Sequence, residues 1–282
     1  MNLSYIANKS FAKKPSILQG FGLSFGLGMT YFSLLVIIPL IALFAFSFKL
    51  EWAKFVEIIS DSQVLSALKF SLSTALFAAT INLILGFVVA WSLARYDFFG
   101  KRLLEALIDL PFALPTAVAG IAIAFLLSSN GIVGKAFLLI GVDLEGRSFV
   151  AVVVALIFVG IPFVIRTLEP VIKDLDKESL EAAGSLGANF YQSFYFVILP
   201  SLIPSALIGF ALAFARGLGE YGSVIFVSNN IPFESEILPL LIVKKLDSFD
   251  YLGGSAVGVF MITVAFVILL LINLLGQWQK RA

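Results

Sequence analysis

Six stretches of this 282-residue chain run for 18 positions or more without a charged residue. Lys14 to Lys49 encloses 34 uncharged residues, Lys69 to Arg95 encloses 25, and Asp109 to Lys135 encloses 25. Arg147 to Arg166 encloses 18, Glu181 to Arg216 encloses 34, and Asp250 to Lys280 encloses 29. A helix needs about 20 mostly apolar residues to cross the hydrocarbon core of a bilayer, within a range of about 17–25. Each of the six is long enough. Two further uncharged stretches, Tyr221–Phe233 and Ile237–Val243, are too short to cross.

The composition agrees. Hydrophobic residues make up 60% of the chain and charged residues 13%, against about 45–50% and about 25% in soluble domains. The 29 Phe outnumber the 18 Asp and Glu. So little polar surface cannot cover a water-soluble globule, and disorder needs the opposite composition. Cys and His are both absent, which excludes a disulfide framework, a thiolate zinc site and any His-based proton relay. A net charge of +1 argues against nucleic acid as a partner.

The sequence places helices near 24–47, 68–93, 112–128, 149–168, 197–219 and 255–276. The first is too long for the apolar region of a secretory signal, so it reads as a retained anchor. Pro39, Pro162 and Pro204 lie in or beside apolar segments, where the missing N–H frees a carbonyl; Pro111 and Pro115 mark the entry turn of the third helix. Orientation follows the basic residues. With both ends inside, Lys9, Lys13, Lys14, Arg95, Lys101, Arg102, Arg166, Lys173, Lys177, Lys280 and Arg281 give 11 inner positive charges against 8 outside. The expected fold class is an all-α integral membrane protein with six transmembrane helices and both termini cytoplasmic.

The loop after the fourth crossing is the longest polar stretch between helices. Asp176 is a good N-cap, and Asp174, Asp176 and Glu178 sit where a helix dipole favours negative charge. Lys177–Ser185 reads as a short helix ended by Gly187, and Asn189–Phe196 as a second short segment. The result is a knob at the inner surface, with the small side chains of Ala182 and Ala183 at its tip. An amphipathic helix resting on lipid is the alternative.

Here the residues carry a resemblance. Glu181-Ala182-Ala183, three residues, Gly187, nine residues, Val197, one residue and Leu199-Pro200 resemble the EAA loop of binding-protein-dependent ABC importer permeases, with Val197 where that family usually has Ile. The resemblance implies the MetI-like type I importer permease fold. It makes 1–23 a cytoplasmic segment, 24–276 the six-helix permease domain with its coupling loop at about 170–196, and 277–282 a cytoplasmic tail. It also implies that Glu181, Ala182, Ala183 and Gly187 dock into a cytoplasmic ATPase. No G-x-x-x-x-G-K-[ST] phosphate loop occurs in the chain, so the chain is expected to be non-catalytic and to hold no cofactor. ATP and Mg would be bound by the partner.

Pro162–Pro170 and Phe210–Phe226, with Asn230 and Pro232 beyond, are most similar to the T-type permease subunits of sulfate/thiosulfate importers; molybdate and tungstate permeases are close relatives. The implied partners are a homologous W-type permease, two ATPase copies, a periplasmic sulfate-binding protein and membrane lipid, in the bacterial inner membrane. Arg216 lies near the end of the fifth crossing, with Glu220 four residues on the same helical face. Two roles are open for Arg216, Gly219 and Glu220: a structural clamp, or positive potential along an oxyanion path. The outer segment Tyr221–Tyr251 is expected to dip into the bilayer and to meet the binding protein, with Lys244 and Lys245 facing acidic groups on it or lying in a plain solvated loop. Asn82 and Asn273 read as interhelical hydrogen-bond groups, and Ser71, Ser73 and Thr74 as bonding their own helix backbone.

Two readings from other classes compete. An ion-coupled secondary carrier needs an ionisable group near the bilayer midplane, and the uncharged stretches offer none. A membrane enzyme lacks His, Cys and clustered carboxylates to work with.

Overall fold

A computed structural model of the chain describes residues 20–144 and 146–279. Lys9, Lys13, Lys14, Lys280 and Arg281, on which the orientation reading draws, lie outside them. All regular structure among the described residues is helical. Six helices are long and apolar enough to cross a membrane: Phe21–Ser47, Ser62–Arg95, Thr116–Leu139, Ser148–Lys173, Phe190–Leu218 and Tyr251–Leu274.

The chain divides into two compact units, Met1–Lys49 and Leu50–Ala282. The described part of the first is one apolar rod, α1 (Phe21–Phe32) and α2 (Ile38–Ser47), joined by a π-helical turn at Ser33–Ile37. The turn lies directly before Pro39. Ile38 donates to the carbonyl of Ser33, five residues back, so the helix passes the proline by widening rather than breaking.

The second unit contains α3 (Trp52–Ile59), α4 (Ser62–Arg95), α5 (Lys101–Ala113), α6 (Thr116–Leu127), α7 (Ile132–Leu139), α8 (Ser148–Lys173), α9 (Lys177–Ser185), α10 (Phe190–Ser193), α11 (Leu199–Leu218), α12 (Val224–Val227), α13 (Leu238–Asp247) and α14 (Tyr251–Gln279). Its core is the trio α4, α8 and α11. α8 is apolar around most of its circumference and is buried accordingly, from Ala151, Val152 and Ala155 to Leu168 and Ile172. Small residues set how closely its neighbours approach. A Cβ on Gly86 of α4 would sit 2.7 Å from Val164 Cγ1, and one on Gly160 would sit 2.4 Å from Asn82 Nδ2. These two contacts advance together along both helices, so α4 and α8 run parallel. On α11, Gly209 faces Val164 and Thr167 while Gly217 faces Leu156 and Ala75, so α11 runs antiparallel to both.

The third crossing differs from the expected 112–128. Pro111 lies inside α5, and the chain breaks at Leu114-Pro115, where Leu114 is extended. Steric clash with the proline ring disfavours helical backbone at the residue before it. The crossing is α6 followed by a tight turn into α7. That turn needs glycine: a Cβ on Gly131 would meet the carbonyl oxygen of Phe125 at 2.2 Å, and one on Gly134 that of Ser128 at 1.9 Å. The fifth crossing begins at Phe190 rather than 197. The expected second segment of the knob is its first turn, continued through a π-helical turn at Phe194–Ile198.

Candidate functional site

The knob is built by four local devices. Asp176 caps α9, its carboxylate accepting the Glu178 N–H at 2.9 Å and the Ser179 hydroxyl at 2.8 Å. The Ser179 hydroxyl, then the Glu178 N–H, hold its pKa below the ordinary carboxylate value. α9 ends in a left-handed turn: Gly187 has φ +83°, and Ala188 N–H reaches back to the carbonyl of Ala183 at 3.0 Å. Asn189 and Gln192 then exchange reciprocal side chain–backbone bonds of 2.9 and 2.8 Å, opening α10. Leu199 N–H bonds Phe194 five residues back, one residue before Pro200. The Phe194 ring meets Phe87 of α4 edge-on at 6.1 Å.

Glu181, Ala182 and Gly187 are exposed, together with Leu186 at 90%, Phe190 and Tyr191. Of the two small side chains expected at the tip, Ala182 is exposed and Ala183 half-buried, and the Ala183 carbonyl accepts the bond that closes the turn.

Arg216 and Glu220 are brought together at the other end of the same helical run. α11 stops at Leu218, and Glu220 N–H bonds the carbonyl of Gly217 at 3.1 Å. Glu220 is 3% exposed. Its carboxylate pairs with the Arg216 guanidinium and accepts both the N–H and the hydroxyl of Ser223 at 2.9 Å. Ser223 is fully buried. The turn is wedged against α6: a Cβ on Gly222 would sit 2.3 Å from Thr116 Oγ1, and one on Gly120 would sit 2.4 Å from the Ser223 carbonyl oxygen. Gly217 lies level with Leu156, about 12 Å below the first residue of α8 at 1.5 Å per residue. The helix end is thus inside the thickness of the bundle, and the break continues as α12 toward the face opposite the knob.

Residues that spacing alone did not single out complete the polar framework. Arg166 of α8 grips Asp109 of α5 through two bonds, of 2.5 and 3.1 Å, and Glu169 at 3.2 Å. Lys173 closes on the same Glu169 at 2.6 Å. Glu169, Arg166 and Lys173 share a helix face, a readable pattern; Asp109, 57 residues away, carries no local signal. On the opposite face, buried Glu236 accepts from Gln63 at 2.6 Å and from Lys244 at 2.5 Å.

Other expectations change. Lys244 pairs with Glu236 and Lys245 with Asp250; both are partly exposed and sit in the last turn of α13 rather than in a loop. The Ser71 hydroxyl accepts the N–H of Leu238 at 2.9 Å, joining the outer segment to α4, and makes no bond to its own helix among the described residues. Ser73 and Thr74 do bond the Phe70 carbonyl. Asn82 is no interhelical hydrogen-bond group: both amide atoms are buried without a partner among the described residues. Asn273 lines a groove of about 360 Å³ between α11 and α14. No group of three or more acidic side chains is placed to hold a metal among the described residues.

Comparison with known proteins places the chain in a family. The family model described as "Binding-protein-dependent transport system inner membrane component" matches residues 82–282. The chain is 39% identical over 280 residues to the sulfate transport system permease protein CysT of Synechocystis sp., covering 99% of this chain and 98% of that one. It is 41% identical over 259 residues to the protein of the same name from Escherichia coli K12, covering 92% and 93%. A crystal structure of a bacterial ABC transporter involved in import of the polysaccharide alginate superposes with a TM-score of 0.74 at 19% identity, over 92% of this chain and 96% of that one. With six apolar helices, an exposed knob between the fourth and fifth, and a match across most of its length, the chain belongs to the inner-membrane components of binding-protein-dependent transport systems.

Proposed function

We propose that the chain is the T-type permease subunit of an ATP-driven sulfate/thiosulfate importer. It forms half of the translocation path beside a homologous W-type permease. Two copies of a cytoplasmic ATPase supply ATP and Mg, and a periplasmic sulfate-binding protein delivers the anion. The observation that carries the substrate is the roughly 40% identity to sulfate permeases along nearly the whole chain. The observation that carries the coupling is the knob, whose exposed Ala182, Leu186 and Gly187 offer a small, partly apolar surface to a groove.

Energetics explain the need for ATP. Moving a dianion into a compartment 100 mV negative costs roughly 4.6 kcal/mol, at about 2.3 kcal/mol per charge. A passive pore would run the anion outward. In the proposed cycle, ATPase closure moves the knob, and the run from Phe190 to Leu218 carries that movement to the Glu220 turn. Arg216 adds positive potential beside that turn, and its pairing with Glu220 keeps the site close to neutral when empty.

The test is reconstitution of the chain with its partner permease, ATPase and binding protein in vesicles. Sulfate accumulation should require ATP and the binding protein. Accumulation by this chain alone, driven by an ion gradient, would overturn the reading. Accumulation of molybdate but not sulfate would redirect the substrate.

A further inference from the structure

A cleft of about 700 Å³ opens on the face opposite the knob. Its walls are α3, the first turn of α4, the end of α13 and the start of α14. Leu50, Ile58, Val64, Leu241 and Leu252 give it an apolar floor, and six charged side chains line it: Lys54, Glu57, Asp61, Lys244, Lys245 and Asp250. Both signs are distributed around the rim. Lys54 pairs with Glu57 at 2.8 Å and Lys245 with Asp250 at 3.2 Å. Lys244 is occupied by buried Glu236 beneath. Asp61 spends one oxygen on the Gln63 N–H at 2.8 Å and has no ion pair among the described residues.

The position of this cleft identifies its depth. It lies where two membrane-crossing helices, α4 and α14, begin. Exposed aromatic residues flank it on both sides. Trp52, 74% exposed, stacks on Phe55 at 5.6 Å; Phe249, 79% exposed, meets Tyr251 edge-on at 6.3 Å. Exposed Trp and Tyr at the ends of crossing helices mark the headgroup layer of a bilayer. A mixed-charge cleft over an apolar floor in that layer faces a molecule that is itself charged at one end and apolar at the other.

We propose that the cleft binds the headgroup of a zwitterionic phospholipid carrying a primary ammonium. Lys54 and Lys245 take the phosphate, and Glu57 and Asp61 take the ammonium. The carboxylates select a primary ammonium because it donates N–H bonds, whereas a quaternary ammonium is held by aromatic faces, and the aromatic rings here lie outside the cleft lining. The bound lipid fills the space between α3 and the start of α4 on one side and the α13–α14 corner on the other, above the apolar cluster of Val64, Ala67, Leu238, Leu241 and Val257 that already joins them. This site is independent of the transported anion, so its failure leaves the transport reading untouched.

The test is thermal unfolding of the purified full chain in detergent, with short-chain phosphatidylethanolamine, phosphatidylcholine or phosphatidylglycerol added. Phosphatidylethanolamine should raise Tm by about 3 °C or more, as expected of a ligand that binds only the folded state. The other two lipids should not. Lys54→Ala with Lys245→Ala, and separately Glu57→Gln with Asp61→Asn, should abolish that rise; Asn retains the α4 cap. Equal stabilisation by all three lipids, or an undiminished rise in both double variants, overturns the proposal. An equal rise from inorganic phosphate overturns it in favour of a soluble anion site, and an equal rise from glycerophosphoethanolamine overturns the lipid as occupant in favour of a soluble zwitterion. Loss of binding-protein-stimulated ATPase activity in the variants, with no lipid preference in the native chain, overturns it in favour of a protein-docking face. If a variant fails to fold, the comparison of lipids on the native chain still decides.

Discussion

Gly160 of α8 lies directly against the Asn82 amide of α4, with room for no Cβ between them. Asn82 brings to this crossing two buried polar atoms that have no partner among the described residues. Leaving a buried polar group unpaired costs about 1–3 kcal/mol, so the trio of core helices is held together despite this residue.

Glycine positions in this core should therefore differ in tolerance. Gly160→Ala meets the end of a side chain that can rotate, and should cost about 1 kcal/mol, within the lower range for overpacking. Adding Asn82→Ala should recover most of that loss, because the clash and the unpaired amide disappear together. Gly120→Ala meets the Ser223 backbone at 2.4 Å, which cannot swing aside, and should cost about 3 kcal/mol. Thermal unfolding of the three variants checks the order; a milder effect at Gly120 than at Gly160 contradicts it.

Arg216 and Glu220 should prove strongly coupled. Removing Arg216 leaves the buried Glu220 charge uncompensated, at about 3–5 kcal/mol. Arg216→Ala should therefore lower stability sharply, Glu220→Ala should lower it less because the Arg216 side chain is about a third exposed, and Arg216→Met with Glu220→Gln should lower it less than Arg216→Ala. The same double variant separates the two roles. If transport returns along with stability, the pair is a clamp; if stability returns and uptake does not, Arg216 acts on the anion.

The outward position of Ala182 leads to a test of the knob. Ala182→Trp should leave the melting temperature within about 1 °C, since its side chain is exposed. Uptake should fall at least tenfold while ATP hydrolysis by the reconstituted complex persists. Ala183→Trp should instead disturb the knob itself, visible as faster amide exchange over α9. Full uptake by the Ala182 variant would remove that residue from the docking surface.

The cap on α9 carries a pH signature. The Asp176 pKa is lowered in the folded chain. Its contribution is therefore present above the unfolded value, about 3.9, and is lost as pH falls through the lower folded value. Protection of the Glu178 and Ser179 amides, taken relative to intrinsic exchange at each pH, should fall below about pH 4 in the native chain and hold constant in Asp176→Asn, which caps without titrating. An identical acid response in both would dissociate the carboxylate from α9 order.

Arg166 joins α5 to α8 by a two-bond fork on Asp109. Arg166→Lys keeps the charge and loses the fork. Because Asp109 is half exposed, the stability loss from Asp109→Ala should stay below about 1 kcal/mol. Glu169→Ala should cost more, since it strips the shared partner of both Arg166 and Lys173. Denaturation of the two alanine variants gives the comparison.

Much of this architecture was legible in the residues, for identifiable reasons. The six uncharged stretches locate six crossings because charge is expensive in hydrocarbon whatever the fold. Asp176, Gly187 and the Glu181-Ala182-Ala183 spacing delimit the knob because caps and left-handed turns are local. The start of the third crossing was partly legible: Pro111 and Pro115 together mark an entry turn, and only the structure shows that the helix continues past the first and breaks at the second. The Asp109–Arg166, Gln63–Glu236 and Ser71–Leu238 bonds join residues 57 to 173 positions apart, and no spacing rule reaches that far. The orphaned amide of Asn82 is invisible for the opposite reason, since a sequence records that a group is polar and not whether anything answers it.

From Phe190 to Leu218 the backbone never leaves a helical path, and a single widened turn at Phe194–Ile198 interrupts its regularity. If ATPase closure displaces the knob as proposed, the movement enters a lever about 43 Å long at 1.5 Å per residue, with the Phe194–Phe87 ring contact near its start and the buried carboxylate of Glu220 just past its end.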